Sequence, residues 1–301
     1  MGWIQLQVST TPALAQDLEN LLEAEGSLAI TLLDAEDQPV FEPERGETPL
    51  WDNICLTALF QDDLEPQQLI RNLTLKFLPN KLPPVDIRPL EDSNWERAWM
   101  KDFKPICFGE KLWICPSWAT APMPDAVNIM LDPGLAFGTG THPTTALCLN
   151  WLDQQQLETK TLIDYGCGSG ILGIAALLLG AQQVIGVDND PQALTASRDN
   201  CLKNQLQESQ FPVYLPRDFA EQITLKKISQ ADVVLANILA GPLISLAAYL
   251  SALVKPGGQI LLSGILEEQA DSVSLAYQPW VELKPLTSRD GWVRINGHRK
   301  I

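Results

Sequence analysis

Thr161-Leu-Ile-Asp-Tyr-Gly-Cys-Gly-Ser-Gly-Ile-Leu-Gly-Ile-Ala-Ala-Leu177 is the stretch that decides the fold. An apolar run ends in Asp164, glycines follow at 166, 168 and 170, and a second apolar run opens at Ile171. Residues without a Cβ let the chain turn sharply at a strand tip and approach a ligand closely before a helix begins. A further apolar strand, Gln183 to Val187, ends in Asp188, which stands 22 residues after Gly166. That is about the interval at which an acid on the second strand tip meets the hydroxyl pair of a ribose. A dinucleotide fingerprint, G-x-G-x-x-G, would place its third glycine where Ile171 stands, and this departure counts against NAD. A bare tight turn between strand and helix is the plain structural alternative.

Outward from this loop, the grammar on the C-terminal side is strand, turn and helix repeated, which marks a parallel α/β sheet. Ala231-Asp-Val-Val-Leu-Ala-Asn-Ile-Leu-Ala240 reads as a buried strand ending in Asn237. In such sheets ligands sit at the carboxyl ends of strands, where an amide can orient an amine or a cofactor group. The alternative is an asparagine that caps the next turn. Val233 to Val254 carries no charge and is long enough to cross a bilayer. Asn237, Gly241-Pro242 and the turn signal Lys255-Pro256-Gly257-Gly258 break it up, and Gln259 to Ser263 resumes a β pattern. Strand, loop, buried helix, turn and strand describe it better.

On the N-terminal side of the loop lies Leu131-Asp-Pro-Gly-Leu-Ala-Phe-Gly-Thr-Gly-Thr-His-Pro-Thr-Thr145. Gly134, Gly138 and Gly140 suit a segment that folds over a ligand, with Phe137 as its apolar flap. Pro143 is placed to open a helix with Thr144 and Thr145 in its first turn. His142 is either a proton acceptor or a brace for the loop. An ordinary long surface loop is the alternative for the whole segment.

The first ninety residues follow a different pattern. Residues 1–65 hold fourteen Asp and Glu against Arg45 alone, which accounts for −13 of the formal net charge of −16. Strands are expected at Trp3 to Val8, Ser27 to Leu33, Pro39 to Phe41, Ile54 to Phe60 and Val85 to Pro89, with helices at Pro12 to Ala24 and Pro66 to Leu73. These make a small α+β sandwich of helices on one sheet. Ser93 can cap a helix running from Asn94 to about Asp102, with Glu96 in the reciprocal position, as the connection over 91–104. Ile106 to Phe108 and Leu112 to Cys115 flank Gly109-Glu110-Lys111 as a hairpin.

So acidic a surface repels phosphate backbones and attracts basic partners, so no direct binding of nucleic acid is expected. The six cysteines include no C-x-x-C pair and the chain has two histidines, so no metal site is expected and the thiols read as reduced and cytoplasmic. Met1 to Thr10 lacks the basic segment and long apolar run of a secretory signal.

The glycine loop matches the D-x-G-x-G-x-G nucleoside loop of class I methyltransferases. Met130 to Thr145, Thr161 to Ile171 and Ala236 to Pro242 together resemble the bacterial ribosomal-protein methyltransferase family called PrmA. Trp3-Ile4-Gln5-Leu6 and Leu112-Trp-Ile-Cys-Pro-Ser-Trp118 extend the likeness along the chain. The resemblance implies a class I Rossmann-like, doubly wound α/β sheet behind an N-terminal domain that grips a basic substrate, the eleventh protein of the large ribosomal subunit. It implies S-adenosylmethionine as cofactor and multiple methylation of lysine side-chain and N-terminal amines. The family's cofactor contacts carry over to Thr145, Gly166, Asp188 and Asn237, with Gly168 and Phe137 beside them. Asn237-Ile-Leu-Ala240 differs from the N-P-P-Y of glutamine and adenine N-methyltransferases.

The expected organisation is a recognition domain over 1–90, the connecting helix over 91–104 and the methyltransferase domain over 105–301. Asn237 and His142 are the catalytic candidates. An amine nucleophile must be neutral, and a free lysine pays about 4 kcal/mol for that near pH 7.4. Carboxylates beside the amine would raise the penalty, and neither Gly134–Thr145 nor Ala236–Pro242 contains one. The rival readings are a methyltransferase of RNA or of small molecules, and a non-catalytic or NAD-dependent binding protein. Calorimetry with S-adenosylmethionine and with NAD separates the classes.

Overall fold

The computed structural model describes residues 2–36, 38, 49–90, 104–132 and 142–301. The chain divides into two compact units, Met1–Lys101 and Asp102–Ile301. The expected strand at Pro39 to Phe41 lies outside the described residues. So does the connecting helix, except for Lys104, which has no regular structure.

In the first unit, β1 (Trp3–Thr10), β2 (Ala29–Asp34), β3 (Ile54–Gln61) and β4 (Val85–Leu90) form one antiparallel sheet in the order β2-β3-β1-β4. The side-chain period of two sends Ile4, Leu6 and Val8 of β1 and Leu56, Ala58 and Phe60 of β3 to the same face. Helices α1 (Pro12–Ala24) and α2 (Pro66–Lys76) cover that face with Leu18, Leu22, Leu69 and Leu73. Each helix opens with proline in its first turn, where the missing N–H is not needed.

The second unit begins with a three-stranded sheet. β5 (Ile106–Phe108) and β6 (Leu112–Cys115) form the expected hairpin, and β7 (Val127–Met130) adds to β6 in parallel. Helix α3 (Pro143–Asp153) follows, and its Asp153 accepts the amides of Glu110 and Lys111 at the hairpin turn, at 2.8 and 3.3 Å.

The main sheet contains β8 (Thr161–Tyr165), β9 (Gln183–Val187), β10 (Val213–Tyr214), β11 (Ala231–Asn237) and β12 (Val254–Leu266), all parallel, in the order β10-β9-β8-β11-β12. The chain steps outward from β8 to β10, returns to the other side of β8 as β11, and so makes a topological switch point between β8 and β11. Three antiparallel strands complete this edge: β13 (Val281–Leu283), β14 (Thr287–Arg289) and β15 (Trp292–Arg299), the last paired with β12.

Successive residues of the parallel strands feed opposite cores. Leu162, Val184, Val233 and Leu235 pack on one face with α3 and α4 (Ile171–Leu178). Ile163, Ile185, Val234 and Ala236 pack on the other with α6 (Pro216–Thr224), α7 (Ala240–Ser245), α8 (Ala247–Leu253) and α9 (Ala270–Tyr277). Burial on both faces is why these strands read as unbroken apolar runs.

One expectation changes. The turn signal at 255–258 does not separate a helix from a strand, because β12 already starts at Val254, paired with Ala231. The register then jumps, and Val233 meets Gln259. Gly258 makes this irregularity possible, since a Cβ there would lie 2.8 Å from the Asp232 carbonyl oxygen. The uncharged Val233–Val254 run is strand and two short helices. Among the described residues no helix is long and apolar enough to cross a membrane.

Candidate functional site

The switch point puts Asp164 and Asn237 on neighbouring strands at their carboxyl ends, where α/β sheets bind ligands. Gly166, Gly168 and Gly170 have φ of +81°, +54° and +80°, so the loop runs through three left-handed residues before α4. A side chain on Gly166 would also collide with Ile238, which follows Asn237. Glycine is therefore needed both for the turn and for the closeness of the two strand tips.

Asp188 leaves β9 and accepts two backbone amides, Gly168 N–H on Oδ2 at 2.8 Å and Asp190 N–H on Oδ1 at 3.0 Å. A carboxylate offers about four acceptor positions, so capacity remains for a ribose hydroxyl. Asp190 in turn caps α5 (Pro191–Lys203) through Gln192 N–H at 2.8 Å. Asp164 is fully buried. Its Oδ2 accepts Gly173 N–H at 3.0 Å, while Oδ1 has no partner among the described residues. Burial pushes its carboxyl up to about 7, against the pull of the Gly173 amide and with a further push from Asp188.

Helix α3 supplies the facing wall. His142 Nδ1 accepts Thr144 N–H at 3.4 Å and lies 2.8 Å from Thr144 Oγ1, which makes it the N-cap ahead of Pro143. Thr144 and Thr145 occupy the first turn and are buried. Asn237 Nδ2 lies 3.4 Å from Thr145 Oγ1, and Asn237 Oδ1 is buried without a partner among the described residues. Two adjacent strand tips thus each carry an acceptor unmet among the described residues. In a buried position such a group costs about 1–3 kcal/mol, so the pair points to donors brought by a ligand.

Beside Asn237 lies a cavity of about 310 Å³ lined by His142, Thr144, Asn237, Ile238, Leu239, Gly264 and Trp292. None of these lining residues carries a carboxylate. Trp292 meets His142 edge-on, with ring centroids 4.8 Å apart at 69°. Burial holds the His142 imidazole below its usual pKa, so it is neutral near pH 7. With Nδ1 accepting the cap, proton acceptance at Nε2 would require the other tautomer and give up the Thr144 N–H bond.

Of the sequence candidates, Asn237 and His142 line the cavity, Thr145 meets Asn237 from α3, Gly166 packs against Ile238, and Asp188 holds the loop through the Gly168 amide. Phe137, with Gly134, Gly138 and Gly140, lies outside the described residues. Trp292, Thr144 and Gly264 were not among the sequence candidates. Asp290-Gly291 before Trp292 signals a hairpin turn, but nothing local tells that β15 returns beside β12.

The family model for ribosomal protein L11 methyltransferase (PrmA) matches residues 2–300. A ribosomal protein L11 methyltransferase from Pseudomonas paraeruginosa is 53% identical over 300 residues, covering 100% of this chain and 99% of its own. One from Azotobacter vinelandii is also 53% identical, covering 100% of both chains. Among solved structures, the ribosomal protein L11 methylase from Lactobacillus delbrueckii subsp. bulgaricus aligns with a TM-score of 0.57 at 29% identity. That match covers 66% of this chain and 100% of the other.

Proposed function

The chain belongs to the ribosomal protein L11 methyltransferase (PrmA) family, a class I methyltransferase fold, and we propose that it moves methyl groups from S-adenosylmethionine to lysine side-chain and N-terminal amines of L11. The observation that carries the amine assignment is the orphaned Asn237 Oδ1 beside a cavity whose described lining has no carboxylate.

The crevice fits the cofactor's chemistry. Asp188 and the Gly166–Gly168 loop suit the ribose, and Thr145 and the unmet acceptor of Asp164 suit the donors on its amino-acid end, with Asn237 between them and the entering amine. Phe137 is assigned to the same side on the family resemblance alone. When bound, S-adenosylmethionine supplies a methyl group made electrophilic by its sulfonium.

The chain's own task is to present a neutral amine in line, which is largely a matter of positioning. Asn237 Oδ1 accepts an N–H of the entering amine and so directs its lone pair. An amide does this without stabilising the ammonium form, as a carboxylate would. Leu239, Ile238 and Trp292 give the cavity apolar walls that disfavour the charged amine by desolvation. His142 orients Thr144 and Thr145 through its cap. As a proton acceptor it would act through Nε2 at the cost of that bond.

The acidic N-terminal unit, with −13 of the net charge in residues 1–65, docks the basic ribosomal protein. A ribosomal substrate places the reaction in the cytoplasm. The test is transfer of labelled methyl groups from S-adenosylmethionine in a mixture of L11 and ribosomal RNA. Label in L11 supports the proposal, and label confined to the RNA rejects it.

A further inference from the structure

Helix α5 carries an inward polar stripe at Ser197, Asn200 and Asn204, spaced i, i+3 and i+7 on one face. Each member holds backbone. Ser197 Oγ donates to the Gly168 carbonyl at 2.9 Å, with Cys167 Sγ 3.5 Å from the same hydroxyl. One turn later Asn200 Nδ2 donates to the Ser169 carbonyl at 2.9 Å. At the helix end Asn204 takes both backbone groups of Met130, donating to its carbonyl at 2.9 Å and accepting its N–H at 2.7 Å. Ser197 is fully buried and Asn204 is 9% exposed. Alanine or leucine would fill such positions at no polar cost, so the stripe is explained by the backbone groups it satisfies.

We infer that Ser197 and Asn200 are positioning residues for cofactor binding, holding two successive loop carbonyls against α5. This inference rests on the cofactor reading of the glycine loop given above. Gly168 is gripped at both ends by one stretch of chain, its N–H by Asp188 and its carbonyl by Ser197. A planar peptide with its carbonyl fixed toward α5 directs the next N–H, that of Ser169, away from the helix. The left-handed course of the loop is thus set from outside the loop, by the helix that follows the ribose acid. The same helix ties down the strand leading to residue 133: Asn204 holds Met130, and Lys203 Nζ reaches Asp132 Oδ2 at 2.8 Å.

The test uses the full chain with Ser197→Ala and Asn200→Asp, the second keeping size while losing the donor. The exposed Asp199→Ala is the control. Calorimetry measures the Kd for S-adenosylhomocysteine, thermal unfolding is followed without ligand, and steady-state kinetics give KM and kcat with L11. The expected result is a Kd and a cofactor KM raised about tenfold in both variants. The kcat stays within about twofold, and the KM for L11 and the Asp199→Ala values stay unchanged. Should Ser197→Ala fail to fold, the partly buried Asn200→Asp decides alone. Wild-type affinity in folded variants, even with lowered thermal midpoints, overturns the inference, since a purely structural role moves stability only. A wild-type chain that does not bind S-adenosylhomocysteine overturns the cofactor reading itself, and this inference with it.

Discussion

Asn237→Asp replaces one atom and puts a charge where the account needs neutrality. Asn237 sits at the tip of β11 beside the 310 Å³ cavity, with its Oδ1 buried and without a partner among the described residues. A carboxylate about 4 Å from an amine nitrogen stabilises the ammonium by about 4 kcal/mol at an effective dielectric constant of about 20. At 1.36 kcal/mol per pKa unit, that raises the amine pKa by roughly three units. Solvent reaching the cavity mouth screens part of this, so single-turnover methylation near pH 7.4 should fall about a hundred- to thousandfold. The variant's rate should rise about tenfold for each unit the pH is raised, because the neutral amine is restored at that rate, and the gap to wild type closes only above the pH at which the wild-type amine is already neutral. Binding of S-adenosylmethionine, checked by calorimetry, should hold or tighten, since a carboxylate attracts a cation. The assay is the single-turnover rate across pH at saturating cofactor. Normal turnover near pH 7 in a folded Asn237→Asp chain would refute the reasoning and leave Asn237 as a residue that caps a turn.

Asp188→Ala should weaken S-adenosylmethionine binding by one to two factors of ten, because losing a charge-assisted hydrogen-bond pair costs about 1.5–3 kcal/mol; unchanged calorimetric affinity would remove Asp188 from the site. Asp164, pushed up to about 7 by burial, keeps in the folded state a proton that the unfolded chain has released, so its contribution to stability declines as pH rises from about 4 to 7. Asp164→Asn should therefore raise the thermal midpoint relative to the wild type at pH 8 and not near pH 4, and parallel midpoint curves would count against it. A chain beginning near residue 91 should bind the cofactor and fail to methylate L11, and added salt should raise the L11 KM of the intact enzyme, since exposed charges are screened beyond about 10 Å at 0.1 M. Full L11 methylation by the shortened chain would remove the docking role from the N-terminal unit.

What the sequence revealed was whatever depends on neighbours along the chain. The Asp164–Gly170 loop and the spacing to Asp188 lie within one strand-turn-helix-strand passage, and the geometry follows from glycine's freedom at three left-handed positions. Strands buried on both faces announced themselves as apolar runs. The contacts that close the crevice are long-range. Asn237 meets Thr145 across 92 residues, and the edge contact of Trp292 with His142 depends on β15 returning antiparallel to β12. Nothing in the local pattern around Trp292 carries that register. The protonation tendency of Asp164 was hidden for the same reason, since it comes first from the burial that the folded chain imposes on it. The proline-glycine signal at 255–258 misled because it marks an irregularity inside β12, where Gly258 leaves room for the Asp232 carbonyl.

The central claim, amine methylation of L11 from S-adenosylmethionine, is tested most directly by mapping the methyl groups. Purified L11 incubated with the intact enzyme and S-adenosylmethionine is digested and sequenced by tandem mass spectrometry. The account predicts methyl increments on lysine Nζ atoms and on the N-terminal amine, absent when Asn237→Asp replaces the wild type near pH 7. Methyl groups found only on carboxylates, side-chain amides or RNA, or L11 left unmodified by an enzyme that binds the cofactor, would contradict it.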